Sequence, residues 1–253
     1  MSFSPDSRLV AEVRAAASHD ERRDGRTPDI LLLHYTGMAS TDEACRRLCD
    51  PESGVSCHYV VLEDGRVLQL VPEERRAWHA GVSSWEGETD VNSRSIGVEI
   101  ANPGHDFGYP DFPTAQVVAV TELCRDICAR WGVQPERVLA HSDVAPRRKQ
   151  DPGEKFPWAI LAAAGVGHWT APTALRDGDE SLREGDEGAP VEDLQTLLSL
   201  YGYGVEIDGV YDAATAAVVR AFQRHFRPAR VDGVADFSTA DTLRNLLRAL
   251  PAR

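Results

Sequence analysis

Apolar residues fall into short bursts over the first part of the chain and into longer helical stripes further on. The apolar run 30–34, closed by His34 and bounded by Pro28 and Gly37, predicts a buried strand. Ser40 and Glu43 stand at capping-box spacing and open a helix that must stop before Pro51. Residues 58–63 and 66–70 read as two strands joined at Asp64-Gly65, a strong hairpin signal. Residues 95–101 predict a further strand, and 138–141 a last one that leads into the loop carrying Asp151. Val117, Val120, Thr121, Cys124, Ile127, Cys128 and Trp131 recur at helical spacing over Thr114–Trp131, and Gly132 sits where a C-terminal cap is wanted. Residues 9–14 fit a strand and a helix equally.

Strands interleaved with helices make this an α/β chain, with a mixed central sheet flanked by helices. That pattern ends near residue 170. Residues 171–188, rich in Asp, Glu, Gly and Arg, have the composition of a linker. Beyond them, 190–200, Ala213–Phe226 and 239–250 read as three short amphipathic helices, so the expected organisation is a domain over 1–170, a linker over 171–188 and a small three-helix domain over 189–253. Two loops in that last part repeat each other 24 residues apart: Asp208-Gly-Val-Tyr-Asp-Ala-Ala-Thr215 and Asp232-Gly-Val-Ala-Asp-Phe-Ser-Thr239. Each ends in a Thr placed to cap the following helix.

Charge narrows the partners. A net charge of −13 over 253 residues argues against nucleic acid, whose phosphates are bound by clustered Lys and Arg, and against anionic lipid surfaces. No apolar stretch approaches the length of a membrane-spanning helix. The five cysteines, Cys45, Cys49, Cys57, Cys124 and Cys128, are odd in number and contain no Cys-x-x-Cys, and Cys124 and Cys128 lie on an apolar helix stripe, as buried thiols do. Reduced thiols and an N-terminus without an apolar leader point to the cytoplasm, with the periplasm as the alternative.

Candidate chemistry centres on His34, His141 and Asp151. Two strand-end imidazoles and a loop carboxylate suit zinc and leave a fourth position for water. Eight histidines allow many trios, however, and spacing alone does not select this one. The ordered motifs do. Leu32-Leu-His-Tyr-Thr-Gly-Met38, Val55-Ser-Cys-His-Tyr-Val-Val61, Ala77-Trp-His-Ala-Gly81, Asn92-Ser-Arg-Ser-Ile-Gly-Val-Glu-Ile100, His141-Ser-Asp143 and Lys149-Gln-Asp-Pro-Gly153 follow one another in register. Together, over about residues 18–165, they resemble the type 2 N-acetylmuramoyl-L-alanine amidase family of AmpD and AmiD, zinc enzymes that cut between muramic acid and L-alanine.

The resemblance implies one zinc ion per chain held by His34, His141 and Asp151. It implies Glu99 as the catalytic carboxylate that moves a proton from water to the leaving amine, and Lys149 as the cation that stabilises the oxyanion. Trp78, His79 and Asn92 match segments that border the family's substrate groove. His58 is read as structural, and Tyr35 is given no role. Leu182-Arg-Glu-Gly-Asp186, 191–195, Tyr201-Gly-Tyr203 and the paired Asp-Gly loops resemble a three-helix peptidoglycan-binding domain, although Asp212 and Asp236 stand where that family has Gly. Asp tolerates the positive φ such positions would require. The implied partners are muropeptides or peptidoglycan, either soluble 1,6-anhydro fragments or the intact wall. The rival readings are a non-catalytic peptidoglycan-recognition module and a zinc hydrolase of an unrelated amide.

Overall fold

A computed structural model describes residues 3–176, 178 and 180–250. Met1 and Ser2 of the N-terminal stretch, Asp177 and Asp179 of the 171–188 segment, and residues 251–253 of the C-terminal domain lie outside the described residues. In chain order come β1 (Val10–Val13), β2 (His19–Glu21), β3 (Ile30–Tyr35), α1 (Thr41–Cys49), β4 (Tyr59–Val61), β5 (Val67–Gln69), β6 (Arg75–Ala77), α2 (Val91–Arg94) and β7 (Ser95–Ile100). They are followed by α3 (Thr114–Trp131), β8 (Val138–Ala140), α4 (His141–Val144), α5 (Trp158–Ala163), α6 (Ala189–Tyr201), α7 (Ala213–Phe226) and α8 (Phe237–Ala249). The Ser40 hydroxyl accepts from Glu43 N–H at the start of α1, Gly65 makes the β4–β5 turn at φ 88°, and Gly132 ends α3 at φ 67°. The ambiguous segment 9–14 becomes the edge strand β1, because β5 offers it an unpaired edge.

Six strands form one mixed sheet in the order β1-β5-β4-β7-β3-β8, parallel everywhere except in the β4–β5 hairpin. A separate β2–β6 ribbon was not legible in the sequence. Its residues are polar and charged, and its register is set by Asp20 against Arg76 and Glu21 against Arg75.

Alternation along β3 assigns its faces. Leu31 and Leu33 turn toward α3 and pack with Ile96, Val98, Leu123, Cys124 and Ile127. Ile30, Leu32 and His34 share the opposite face. There Ile30 and Leu32 join one core with Trp85, Val91, Leu139 and Val144, and with Leu198, Tyr201, Tyr203, Phe222 and Phe226 of the C-terminal helices. The three helices thus complete the core of the sheet itself. The segment before them packs too: Thr173 N–H donates to Thr242 Oγ1 at 3.0 Å, and Leu182 and Glu187 form bridges with Ala235 and Val210.

The repeated loops are capped differently from expectation. Asp212 and Asp236, three residues before the threonines, accept from the N–H groups of Thr215 and Thr239 and are the N-caps. Their φ values of −90° and −74° require no glycine. A helix start needs a short acceptor one position outside the first turn, and Asp supplies it better than a residue already inside the helix.

Trp85 carries the junction between the sheet and the helices. It is 1% exposed, meets Tyr203 edge-on at 5.1 Å, and lies so close to Gly202 that a Cβ there would stand 2.6 Å from the ring. Trp85→Ala should therefore lower stability by about 3–5 kcal/mol. Because both parts share the core, urea unfolding followed by far-UV circular dichroism and by tyrosine fluorescence should show one coincident, shifted transition.

Candidate metal centre and active-site cavity

His34 lies near the C-terminal end of β3, and the parallel register of β3 and β8 aligns Leu33 with Ala140, one residue before His141. The two imidazoles therefore leave neighbouring strands side by side. The Asp151 carbonyl accepts from Ser142 N–H at 3.0 Å, which draws the third side chain in beside His141. The trio is 1%, 3% and 6% exposed. His34 Nδ1 and His141 Nδ1 are 2.9 Å apart, and Asp151 Oδ2 lies 3.2 Å from the first and 2.9 Å from the second.

The protonation pattern behind these atoms decides what they can hold. His141 Nε2 faces the Ala80 carbonyl at 3.0 Å, so it carries the proton and its Nδ1 is bare. His34 Nε2 faces His79 Nδ1 at 3.0 Å; His79 Nε2 faces Ser95 Oγ at 3.3 Å; and the Ser95 hydroxyl donates to the Val91 carbonyl at 2.6 Å. Since the serine proton is committed to that carbonyl, Ser95 accepts from His79, His79 accepts from His34, and His34 Nδ1 is also bare. Two bare nitrogens and a carboxylate oxygen face one another with no proton between them. Such a group is able to hold a cation. Donors about 3.3 Å apart are what tetrahedral zinc with Zn–N bonds of about 2.0–2.1 Å requires, and the donor set of two neutral imidazoles and one carboxylate is one zinc favours.

Charge and burial act on each group differently. Burial lowers His34 from its ordinary 6.5 to about 4 and holds His79 well below that ordinary value.

Glu99 pairs in register with His34 on β7, so it rises on the same face of the sheet beside the trio. Its Oε2 is wholly buried with no hydrogen-bond partner among the described residues. Burial first, then the charge of Asp151, push its carboxyl well above the usual range, with Lys149 opposing.

A cavity of about 480 Å³ opens over these groups, lined by the trio and by Glu99, Lys149, Trp78 and His79 among others. Lys149 is exposed on its rim. Its neighbour Arg148 is tied down instead, donating to the carbonyls of Ala80 and Val82, each at 3.1 Å. Trp78 lines the cavity while its indole N–H donates to Asp20 at 3.0 Å. His79 stands behind His34, with its ring against Gly97, where a Cβ would be 2.5 Å away. Asn92 does not line the cavity; its Oδ1 accepts from His79 N–H and Ala80 N–H and shapes the turn that holds both imidazoles. His58 lies under β7, accepting from Gly97 N–H and donating to the Arg75 carbonyl. Sequence reasoning missed the supporting roles of Ser95, Ala80 and Arg148, because a serine hydroxyl, a backbone carbonyl and one of several arginines carry no local signal.

His79→Ala removes the acceptor that fixes the His34 tautomer, so zinc affinity measured by chelator competition should fall about 10- to 100-fold. In the metal-free protein, His34, His58 (lowered to about 3 by burial and then Arg22) and His79 take up protons only on unfolding as pH drops below 6.5. The raised Glu99 carboxyl acts in the opposite sense, since it binds its proton more tightly folded than unfolded. Stability should accordingly fall on acidification from pH 6.5 toward 5, by about 1.4 kcal/mol per pH unit for each uncompensated proton, as read from urea midpoints.

Residues 24–154 match the family model of N-acetylmuramoyl-L-alanine amidase, and residues 187–243 match that of a peptidoglycan-binding domain. The amidase AmiD of Escherichia coli is 40% identical over 224 residues, covering 83% of this chain and 79% of AmiD. The 1,6-anhydro-N-acetylmuramyl-L-alanine amidase AmpD of Citrobacter freundii is 33% identical over 177 residues, covering 62% of this chain and 92% of AmpD. Among solved structures, E. coli AmiD in complex with anhydro-N-acetylmuramic acid-L-Ala-D-γ-Glu-L-Lys superposes with a TM-score of 0.75 at 37% identity, over 93% of this chain and 92% of that one. AmpDh3 of Pseudomonas aeruginosa in complex with an anhydromuramic pentapeptide superposes with a TM-score of 0.77 at 35% identity, over 90% of this chain and 94% of that one. Kinship over this much sequence, with the sheet and helices superposed as well, makes the assignment: the chain belongs to the N-acetylmuramoyl-L-alanine amidase family and carries a peptidoglycan-binding domain at its C-terminal end.

Proposed function

We propose that this amidase is zinc-dependent and hydrolyses the amide between the lactyl group of N-acetylmuramic acid, or its 1,6-anhydro form, and the L-alanine of a stem peptide. The observation that carries the reading is the trio of bare acceptors on His34, His141 and Asp151 beside Glu99, whose Oε2 is buried with no partner among the described residues. The substrate class is supported by the anhydromuramyl peptides bound to the two solved relatives.

When bound, zinc would supply a Lewis acid for the amide carbonyl and lower the pKa of a coordinated water. Everything else falls to the chain. Glu99 takes the proton released as water adds to the carbonyl carbon, and the raised carboxyl is suited to keep it. It then passes that proton to the alanine nitrogen as the C–N bond breaks, and the product acid gives up its own proton to the amine, leaving a lactyl carboxylate and an ammonium. Lys149, on the cavity rim, faces the negative charge that gathers on the carbonyl oxygen. Arg148, next to it in the same loop, is engaged by two backbone carbonyls and is not available for that task.

The alternative of a recognition module without catalysis is disfavoured by Glu99 itself. A binding protein gains nothing from an acid with a buried, unpartnered oxygen, which costs about 1–3 kcal/mol. Glu99→Ala should retain stoichiometric zinc by atomic absorption and lose hydrolysis of anhydro-muropeptide by about 100-fold or more. Undiminished turnover in that variant refutes the assignment. Intact sacculi offered beside the soluble substrate, with products resolved by mass spectrometry, distinguish a recycling amidase from one that works on the wall.

A further inference from the structure

Asp143 is wholly buried two residues beyond the ligand His141, and three donors satisfy it. One is local: Ala140 N–H reaches Oδ2 at 2.7 Å and closes the turn that aims His141. The other two come from the C-terminal domain. The Tyr203 hydroxyl donates to Oδ1 at 2.7 Å, and His225 Nδ1 donates to Oδ2 at 2.7 Å. Neither donor can drift. Tyr203 is held edge-on against Trp85, and the His225 ring stacks on Trp158 of α5 at 3.7 Å.

The residue preceding His225 reaches the other ligand loop. Arg224 Nε lies 3.9 Å from Oε2 of Glu154, three residues after Asp151. Glu154 also accepts from His105 Nε2 at 3.2 Å, and His105 Nδ1 accepts from the hydroxyl of Tyr35, the residue after His34. Consecutive side chains of α7, with Tyr203 beside them, therefore support both loops that deliver metal ligands.

We propose that the C-terminal domain is a brace of the metal centre, in which Tyr203 and His225 are positioning residues acting on His141 through Asp143. This goes beyond a wall-binding role for the domain and rests on the metal-site reading above. A buried carboxylate stripped of a donor pulls on its remaining partners, and one of these is the Ala140 N–H that sets the His141 turn.

The test uses full-length Tyr203→Phe, His225→Leu and His225→Asn, the last keeping an N–H donor near the position of Nδ1. Zinc affinity is measured by chelator competition, the zinc-induced rise in Tm by calorimetry, and kcat and KM on anhydro-muropeptide. Tyr203→Phe and His225→Leu should weaken zinc about tenfold and shrink the zinc-induced rise in Tm, with kcat reduced and KM changed less than about twofold, while His225→Asn restores most of the affinity. A drop in Tm that is equal with and without zinc, at unchanged zinc affinity, overturns the proposal, since that is what simple loss of packing produces. Should His225→Leu fail to fold, Tyr203→Phe, which deletes one hydroxyl, still decides. Failure of the parent protein to bind zinc would instead overturn the metal-site reading.

Discussion

Three lone pairs held within 3.2 Å of one another at the end of two parallel strands repel unless a cation sits between them. The chain maintains that arrangement by controlling protons at a distance. His141 is fixed by a backbone carbonyl, and His34 by a relay through His79 and Ser95 to another carbonyl. Each outer partner determines which nitrogen of the inner ring is bare. Much of the nearby anatomy answers to this need: Gly97 lacks a side chain where His79 must lie, Asn92 shapes the turn carrying Ala80, and Arg148 anchors that turn from outside.

Two carboxyls of the site, Asp151 and Glu99, differ in their partners. Asp151 touches both imidazoles; the Oε2 of Glu99, one strand away, has no partner among the described residues, and burial raises its carboxyl well above the ordinary range. Two acids so placed suit the proposed division of labour, Asp151 as a ligand and Glu99 as the carrier of a proton. Register produces the separation. Glu99 pairs with His34 across the β3–β7 ladder, close enough to reach the reaction centre, while the ligand place beside His141 belongs to Asp151.

Packing places the C-terminal helices on the face of the sheet that bears the ligands. Ile30 and Leu32 share that face with His34, so the residues covering them come close to the metal loops as well. A domain recruited to the wall on a free tether would leave this face to other elements. Here the face is closed by Tyr203, Phe222 and Phe226, with Asp143 and Trp158 of the amidase part completing the contact through His225.

Periodicity in the sequence was enough for the central strands and the long helices, because each buries a continuous face whose spacing is 2 or 3.6 residues. Ordered motifs were enough to nominate His34, His141, Asp151, Glu99 and Lys149. The β2–β6 ribbon escaped notice because its complementary charges lie far apart in the chain and bury no stripe. The segment 9–14 had no preference until β5 presented an edge. The capping role of Asp212 and Asp236 was hidden by the threonine that follows each at the spacing of an N3 residue. The tasks of His79, Asn92 and Ser95 depend on which nitrogen or carbonyl each one meets, and Asp143 reads as a motif residue until Tyr203 and His225 arrive from the other end of the chain. Local order follows from neighbours in sequence, whereas protonation and support follow from neighbours in space, and only the folded chain brings those together.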